Sequence, residues 1–377
     1  MARERRGAVA RARRVIVKVG SSIVTADGRG LNRRAVNAIA RDIASVLSGG
    51  AQVILVSSGA VAAGNSHLEM KRRPRTIPEK QATAAVGQSR LIRAWERAFV
   101  PHDRSVGQVL LTSDDLGNRR RFLNARHTLL TLLRLGVVPV INENDTVVVE
   151  EIKFGDNDQL AALVTNLIEA DLLIFLTDTE GLYDRDPRRE KRPRLIPLVR
   201  RIGPALEAMA GNAAGGTTGT GGIASKIAAA RKSAQFGVPC VVASGRRRGC
   251  IGRILAGEPI GTLFLPDETP LTSRKHWIAH TGRARGALRV DSGAVDALRD
   301  RGKSLLPSGV TAVKGQFGVG DLVQILDPRG REFARGLAAY RSEEIDRIKG
   351  LRTSDIVAAL GYKSTDEIIH RDDLVLL

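Results

Sequence analysis

The sequence predicts an α/β protein with a mostly parallel sheet covered by helices on both faces, followed by a smaller β-rich domain. Three observations predict this organisation. Short apolar runs rich in β-branched residues recur through the first two thirds of the 377 residues, and each ends in polar or small residues. Helical stretches lie between these runs. After about Leu265 the elements become shorter, and glycines and turn residues separate them.

The strands of the first part are predicted from apolar runs that lead into polar loops. The first run, residues 15–19, contains one lysine and precedes Gly20-Ser21-Ser22, which is typical of a buried strand entering a loop. The other predicted strands cover residues 52–56, 137–141, 171–176 and 238–243. Helices are predicted over residues 33–47, 81–99, 125–135 and 226–235. Because such sheets bind ligands beyond the carboxyl ends of their strands, the polar loops are the expected binding region.

The second part is predicted to be a small β-rich domain with one or two helices. Residues 266–270, Pro-Asp-Glu-Thr-Pro, are typical of a linker. Short strands are predicted over residues 287–290, 310–314, 321–326 and 332–340, with a helix over residues 294–301. The predicted organisation is a basic N-terminal extension (1–14), a first domain (15–265), a linker (266–282), the small domain (283–363) and a C-terminal tail (364–377). For the extension, disorder and a misassigned start are the two interpretations.

Composition indicates a soluble, cytoplasmic protein of two domains. The chain is longer than one hydrophobic core usually organises, and 43% apolar with 26% charged residues is ordinary for a globular protein. The two cysteines, Cys240 and Cys250, can form neither a disulfide framework nor a four-cysteine zinc site. The sequence lacks both a long apolar stretch and a secretory signal. We therefore expect the cytoplasm and no membrane partner.

The formal charge of +19 allows two interpretations. A strongly basic surface attracts nucleic acid, but it also suits nucleotide substrates. Residues 283–362 carry 14 Lys and Arg against 10 Asp and Glu, so the excess is not concentrated in the small domain. Of the 59 basic residues only 12 are lysine. This excess of arginine favours a compositional bias of the source genome over a dedicated binding face. With 3% aromatic residues, a stacking platform for single-stranded nucleic acid is disfavoured.

A glycine-rich loop is the first candidate for phosphate binding. Residues 215–226, GGTTGTGGIASK, lead directly into a predicted helix. Glycines let the backbone approach an anion, the helix N-terminus offers unpaired N–H groups, and Lys226 adds a positive charge. The loop is not a Walker A motif, because Lys226 follows a serine and precedes an isoleucine. A flexible linker is the alternative interpretation.

Lys18 and residues 154–160 are the next candidates. A lysine inside an apolar strand needs a charged partner or a ligand, unless its ammonium group reaches the surface. In FGDNDQL, Asp156 and Asp158 flank Asn157 at the start of a predicted helix. A helix N-cap accounts for one aspartate but not for the whole cluster. The later ligands of an EF-hand are absent from this sequence.

These features occur within longer blocks that together resemble the amino acid kinase family, and within it the glutamate 5-kinase branch. The blocks of the first part are VKVGSS (17–22), SSGAVAAG (57–64), AAVGQSRLI (84–92), RFLNAR (121–126), VPVINENDTV (138–147), EIKFGDND (151–158), LTDTEGLYDRDPR (176–188) and GTGGIASK (219–226). After the linker, four blocks resemble the PUA domain of the same branch: SRKHWI (273–278), SLLPSGV (304–310), LGYK (360–363) and HRDDLVL (370–376). The departures are mild: Gly20-Ser21-Ser22 replaces Gly-Thr-Ser, and Ile223-Ala224 replaces Met-Ser or Met-Ala.

The resemblance implies an amino acid kinase-like αβα sandwich with a PUA-like domain, and phosphorylation of the glutamate side-chain carboxylate by ATP. Lys18 and Lys226 would neutralise the transferring phosphoryl group, with Asp158 holding both lysines. Glutamate would be held by Ser58, Gly59, Asp145 and Asn157. ATP would be bound by Lys18, Gly20, Thr177, Asp178, Thr220, Gly221, Gly222, Ile223, Ala224, Ser225 and Lys226. No protein metal site is expected, since Mg²⁺ would be carried on the ATP phosphates.

The resemblance also implies the first step of proline synthesis, inhibition by proline and a homodimer or homotetramer. Hand-off of the product to glutamate-5-semialdehyde dehydrogenase is left open by the sequence. Two alternatives stay open. A sibling kinase acting on aspartate, acetylglutamate, carbamate or UMP would share the fold and the lysines, although the NENDTV and FGDND loops favour glutamate. An RNA-binding or RNA-modifying protein is suggested by the PUA-like domain and the high isoelectric point, but a fold does not establish RNA contact.

Overall fold

The computed structural model describes residues 7–26, 30–70, 72–117, 119–147, 156–185, 193–203, 206, 222–266 and 284–377. The chain divides into two units, Met1–Thr269 and Pro270–Leu377. Each unit has its own sheet and its own apolar core. Within the described ranges, every helix is too short or too polar to cross a membrane.

The first unit contains an eight-stranded sheet among its described residues, in the order β3-β4-β2-β1-β5-β7-β8-β6. Neighbours from β3 to β7 are parallel, whereas β8 runs antiparallel to β7 and parallel to β6. The mostly parallel sheet predicted from the sequence is thus confirmed. The strands are β1 Arg14–Val19, β2 Gln52–Ser57, β3 Val106–Leu111, β4 Val138–Glu143, β5 Leu172–Thr177, β6 Leu198–Val199, β7 Cys240–Ser244 and β8 Thr262–Phe264.

Helices connect these strands. They are α1 Ser21–Val24, α2 Arg33–Ser48, α3 Ala60–His67, α4 Ile77–Phe99, α5 Ser113–Gly117, α6 Arg119–Arg134, α7 Asp156–Leu167, α8 Ile223–Gln235 and α9 Cys250–Leu255. Helix α4 begins four residues before the prediction, because Thr76 and Glu79 form a capping box ahead of the apolar positions. Helix α6 also begins earlier than predicted. Helices α1, α3, α5 and α9 and strands β3, β6 and β8 were not predicted.

Successive residues of β1 contribute to different cores, as the two-residue period of a strand requires. Val15 and Val17 belong to the cluster that includes Ile43 of α2. Ile16 belongs to the other cluster, which includes Leu160 of α7. Helices therefore cover both faces of the sheet. By the same alternation, the side chain of Lys18 lies on the face that α7 covers.

Disorder, one interpretation of the N-terminal extension, is wrong for residues 7–14. Val9 is 1% exposed and packs in the first core cluster. The carboxylate of Asp171 accepts backbone N–H groups from Arg13 and Arg14 at 2.8 and 2.7 Å. The arginine-rich composition gives no indication of this packing, because the packing depends on a single valine, Val9, and on an aspartate that is distant in the sequence, Asp171. Residues 1–6 lie outside the described residues.

The second unit contains a five-stranded sheet in the order β10-β9-β11-β12-β13. Its strands are β9 Gly286–Val290, β10 Val310–Lys314, β11 Leu322–Leu326, β12 Glu332–Leu337 and β13 Leu374–Leu376, and its helices are α10 Ser292–Arg299, α11 Ser342–Ile348 and α12 Ile356–Leu360. Residues 364–377 had been predicted as a tail, but β13 pairs antiparallel with β12. The prediction of one or two helices was too low. The separate β-rich sheet is confirmed.

Two glycines allow α3 and α4 to cross at very short distance. A Cβ atom on Gly64 would lie 1.9 Å from the carbonyl oxygen of Thr83, and one on Gly87 would lie 1.8 Å from that of Ala60. Backbone therefore packs directly against backbone at this crossing. Because α3 begins immediately after the loop at the end of β2, the crossing holds that loop in place.

We expect Gly87→Ala to destabilise the first unit by about 3 kcal/mol, because the helices must separate to admit the methyl group. Alanine is intrinsically better than glycine in a helix by about 1 kcal/mol, so propensity acts in the opposite direction. The matched control is Gly203→Ala, where no atom lies within 4 Å of the added Cβ. Thermal unfolding of both variants provides the measurement. An unchanged midpoint for Gly87→Ala would contradict the described helix crossing.

Candidate active site

The loops at the carboxyl ends of β2, β1, β5 and β7 are joined by backbone hydrogen bonds that extend the sheet. The three bonds are Ser58 N to Val19 O at 3.2 Å, Gly20 N to Leu176 O at 3.1 Å, and Gly245 N to Thr177 O at 2.9 Å. Four loops distant in sequence thus form one continuous edge. This edge is where the parallel-sheet rule places a ligand.

A buried carboxylate, Asp158, lies between two lysines at this edge. Lys18 Nζ forms a direct ion pair with Asp158 Oδ1, and Lys226 Nζ lies 3.5 Å from Asp158 Oδ2. The hydroxyl of Ser225 donates to Asp158 Oδ2 at 3.0 Å. The side chain of Asp158 is fully buried, and those of Lys18 and Lys226 are 5% and 8% exposed. The three catalytic candidates from the sequence are therefore in one cluster.

Local sequence explains how three separate elements supply this cluster. Lys18 is on β1, on the face that α7 covers, while Asp158 is in the first turn of α7. Ser225 and Lys226 are in the first turn of α8, which packs against α7. Both helices therefore begin at the site. The free N–H groups and positive dipole end of a helix N-terminus favour an anion there.

The charges of the cluster shift the pKa values of two of its members. Burial lowers the pKa of the Lys18 ammonium; Asp158 acts against this shift and Lys226 adds to it. Burial by itself would raise the pKa of Asp158, but the ammonium groups of Lys18 and Lys226 and the hydrogen bond from Ser225 hold it below its usual value. Asp158 is therefore ionised at neutral pH. Two ammonium groups and one carboxylate leave a formal net charge of one positive unit, which favours an anionic ligand.

A second polar cluster surrounds Asn157, the residue that precedes Asp158. Its amide nitrogen donates to Ser58 Oγ at 3.2 Å and to Asn142 Oδ1 at 2.9 Å. Its amide oxygen accepts the backbone N–H of Glu143 at 3.2 Å. The side chain of Gln88 in turn donates to the carbonyl oxygen of Glu143 at 3.2 Å. These bonds connect the ends of β2 and β4 to the start of α7.

The structure places the other predicted residues around these two clusters. Gly59 has a φ of 115°, and a Cβ on it would lie 2.9 Å from Val24 Cγ2, so the tight turn there requires glycine. Asp145 is half-buried in the turn after β4. The hydroxyl of Thr177 donates to Asp178 Oδ1 at 3.0 Å. Gly222, Ile223 and Ala224 begin α8. Thr220 and Gly221 lie outside the described residues.

Sequence reasoning did not assign a role to Asn142, Glu143 or Gln88, although all three lie within the recognised blocks. Asn142 and Glu143 are only 4% and 5% exposed. A signal was present, because polar side chains at the end of an otherwise apolar strand must have hydrogen-bond partners when buried. The partners themselves come from positions up to 55 residues away and could not be identified from spacing.

A divalent metal held by the protein does not fit this donor set. Among the residues whose placement is described, no group of three or more His, Cys, Asp or Glu side chains could hold a metal ion. The oxygens of Asp158 already contact Lys18, Lys226 and Ser225. Lysine ammonium groups next to this carboxylate would repel a further cation.

Comparison with known proteins assigns both units. Residues 13–244 match the amino acid kinase family, and residues 286–360 match the PUA domain. A protein of Geobacter sulfurreducens named glutamate 5-kinase is 54% identical over 373 residues, covering 99% of this chain and all of that protein. Proteins of the same name from Syntrophotalea carbinolica and Pelobacter propionicus are 52% and 54% identical. Those alignments cover 99% and 97% of this chain and 99% and 98% of the two relatives.

Asp158→Asn should lower stability by about 3–5 kcal/mol at neutral pH, because it leaves two buried ammonium groups without their counter-charge. The folded-state pKa of Asp158 is depressed, so its contribution is complete above the unfolded value of about 4 and is lost as the pH falls through the lower folded value. The difference in thermal midpoint between the wild type and the variant should therefore narrow below about pH 4.

The control for this prediction is Asp103→Asn, which removes an exposed carboxylate from the same unit. Asparagine tolerates the left-handed backbone of position 103, where φ is 53°. We expect this variant to unfold within about 2 °C of the wild type across the pH range. If the difference in thermal midpoint between the wild type and Asp158→Asn did not change with pH, the ionised carboxylate of Asp158 would not be the source of the stabilisation.

Proposed function

We propose that this chain, which belongs to the glutamate 5-kinase branch of the amino acid kinase family, transfers the γ-phosphoryl group of ATP to the side-chain carboxylate of L-glutamate. The products would be L-glutamyl 5-phosphate and ADP. The observation that supports this activity most directly is the position of Asp158 between Lys18 and Lys226 at the carboxyl edge of the sheet. Substrate identity is supported by the extent and level of identity to the relatives.

Transfer to a carboxylate does not require a general base. A glutamate side chain is ionised at neutral pH and is already a nucleophile. The obstacle is electrostatic repulsion among the glutamate carboxylate, the phosphates and the departing ADP. Lys18 and Lys226 would offset that repulsion as charge moves to the leaving group. By analogy with a lost oxyanion donor, each lysine would lower the barrier by about 3 kcal/mol.

In this proposal Asp158 positions the lysines and does not exchange protons. Its pKa is held low, and its two oxygens contact different partners. Burial lowers the pKa of Lys18, and the Asp158 carboxylate acts in the opposite direction by favouring the charged ammonium group. A fixed arrangement matters because charges that are already oriented need no reorganisation when the phosphoryl group transfers.

Glutamate would bind at the Asn157 cluster, next to the lysines. Ser58 and Asn157 offer a hydroxyl and an amide that are already held by hydrogen bonds, and Gly59 shapes the adjoining turn. Asp145 would pair with the α-ammonium group of the substrate. Since Asn157 and Asp158 are consecutive, the acceptor would be placed directly beside the transfer cluster.

ATP would bind on the other side of Lys18. Gly20, Thr177 and Asp178 lie at the ends of β1 and β5, and residues 222–226 begin α8. The backbone N–H groups of that first helical turn suit phosphate oxygens. Thr220 and Gly221, which lie outside the described residues, belong to the same proposal because of the family resemblance. Mg²⁺ would enter bound to the ATP phosphates and supply further charge neutralisation.

The same assignment extends to the cellular role. The chain would catalyse the first step of proline biosynthesis in the cytoplasm, under inhibition by proline, as a homodimer or homotetramer. An acyl phosphate is labile, so hand-off to glutamate-5-semialdehyde dehydrogenase would protect the product. We also propose residues 15–265 as the catalytic domain and residues 283–363 as the PUA-like domain, joined by a linker.

The activity is tested by ATP- and Mg²⁺-dependent formation of glutamyl hydroxamate from glutamate and hydroxylamine. We expect Lys226→Ala to lower kcat by about 10²–10³-fold, because the ammonium group acts mainly on the transition state. Lys232→Ala is the matched control, since Lys232 is on the same helix but is partly exposed and outside the cluster. That variant should retain wild-type kcat.

The substrate assignment is tested separately with aspartate, acetylglutamate, carbamate and UMP in an ADP-release assay. Turnover with glutamate alone would support the proposal. No turnover with glutamate, together with ADP release in the presence of one of the other acceptors, would overturn glutamate as the substrate. The proposed role of the lysine cluster in phosphoryl transfer would stand. Full activity of Lys226→Ala would overturn the role of the cluster.

A further inference from the structure

Three consecutive arginines lie at the carboxyl end of β7, at the same edge as the proposed site. They form a loop of sequence Gly-Arg-Arg-Arg-Gly, residues 245–249, which we name the arginine loop. All three arginines are exposed. The proposed function does not use them, and nothing in the core requires them. Such a concentration of guanidinium groups beside a nucleotide site needs an explanation.

The arginine loop is fixed at both of its ends. Gly245 N donates to Thr177 O at 2.9 Å, which continues the β5–β7 pairing into the loop. Beyond the loop, the carboxylate of Asp42 accepts the backbone N–H groups of Ile251 and Gly252 at 2.8 and 3.4 Å. These bonds come from β5 and α2, so the loop is attached to two neighbouring elements.

The middle arginine is also fixed. Arg247 Nη2 donates to Glu180 Oε2 at 2.8 Å, joining the arginine loop to the segment that follows Thr177 and Asp178. This ion pair is about 40% exposed, so solvent screens it and it contributes little to overall stability. Its effect is geometric, because it sets the separation between the loops at the ends of β5 and β7.

The two outer arginines have their charges available. Within the described ranges of the chain, the guanidinium groups of Arg246 and Arg248 make no ion pair, unlike those of Arg247 and Arg253. Arginine binds phosphate oxygens through two parallel N–H groups and stays protonated at all relevant pH values. The loop therefore presents two permanent positive charges on a fixed backbone.

Strand order indicates what these charges would meet. The acceptor residues lie at the ends of β4 and β2, and the lysine cluster lies at β1 and the adjoining helices. Thr177 and Asp178 follow β5, and the arginine loop follows β7, the next strand. A substrate laid along this edge with its reacting phosphate at Lys18 would extend its remaining phosphates and nucleoside toward β7.

We propose that Arg246 and Arg248 bind the phosphates of the nucleotide that stay with the leaving group, and that the Glu180–Arg247 pair positions them. This inference rests on the proposed use of ATP and adds the residues that hold ATP and ADP at the far end of the site. These contacts are the same before and after transfer. Removing them should therefore weaken nucleotide binding and leave kcat unchanged.

The test compares the double variant Arg246→Ala/Arg248→Ala with the wild type by titration calorimetry of ADP and by hydroxamate kinetics. We expect ADP affinity to fall and the KM for ATP to rise by about tenfold at about 50 mM KCl, with kcat and the KM for glutamate unchanged. The difference in ADP affinity between the wild type and the double variant should become smaller at about 500 mM KCl, because salt screens exposed charges.

The matched control is Arg93→Ala/Arg97→Ala, which removes the same charge from exposed positions near the C-terminal end of α4. Helix α4 leads into the amino end of β3, which lies at the edge of the parallel sheet opposite the arginine loop, so this pair should leave ADP affinity within about twofold of the wild type. If both double variants lowered ADP affinity equally, the loss would be explained by the change in net charge, and the inference would be overturned.

A second variant, Glu180→Gln, tests the positioning role. It leaves all three arginines present but removes the partner of Arg247, and we expect ADP affinity to fall by about threefold with kcat unchanged. Wild-type ADP affinity in both this variant and the arginine double variant would overturn the inference and leave the proposed function standing. Absence of hydroxamate formation by the wild-type chain would instead count against the proposed function.

Discussion

The buried carboxylate of Asp158 is the group on which the arrangement of the site depends. Two ammonium groups removed from water would repel each other, and the low-dielectric surroundings would strengthen that repulsion. Asp158 offsets it by contacting Lys18, Lys226 and, through a hydrogen bond, Ser225. One strand and two helices are thereby held together at one point, and the remaining single positive charge is available for an anionic ligand.

Several features of the fold hold the residues around Asp158 in place. Adjacent residues of α7, Asn157 and Asp158, belong to two different polar clusters, so one helical turn orients both the proposed acceptor site and the proposed transfer site. The glycine crossing of α3 and α4 holds the loop that carries Ser58. Backbone hydrogen bonds between loops continue the parallel sheet past its last residues. Rigid surroundings of this kind favour catalysis by fixed charges.

Much of the architecture could be predicted because apolar periodicity is a local property. Five strands of the large sheet and the β-rich character of the second unit were recognisable from short runs. The edge strand β3 was missed because most of its residues are only partly buried, and β6 because it has two residues. The start of α4 depends on a capping box rather than on apolar spacing.

The site was predictable in part for the same reason. Lys18, inside an apolar strand, had to have a partner, but periodicity could not identify Asp158. The contacts of Asp158 with Ser225 and Lys226 join positions 67 and 68 residues apart, and the packing of α7 against α8 brings those positions together. The contact with Lys18 depends on the packing of α7 against β1. Family resemblance named Lys18, Lys226 and Asp158, and the structure brings these three side chains together. It did not show that Asn142, Glu143 and Gln88 support Asn157 through hydrogen bonds.

The most direct test of the account follows oxygen from the acceptor. Glutamate labelled with ¹⁸O in its side-chain carboxylate would be incubated with the enzyme, ATP and Mg²⁺ without hydroxylamine. The acyl phosphate then cyclises as the α-amine attacks the acyl carbon, and the bridging oxygen leaves with phosphate. The account predicts inorganic phosphate that carries one ¹⁸O atom, measured by mass spectrometry. Phosphate without ¹⁸O, in which three oxygens come from the γ-phosphoryl group and the fourth from solvent, would show hydrolysis of ATP by water and would contradict transfer to a carboxylate.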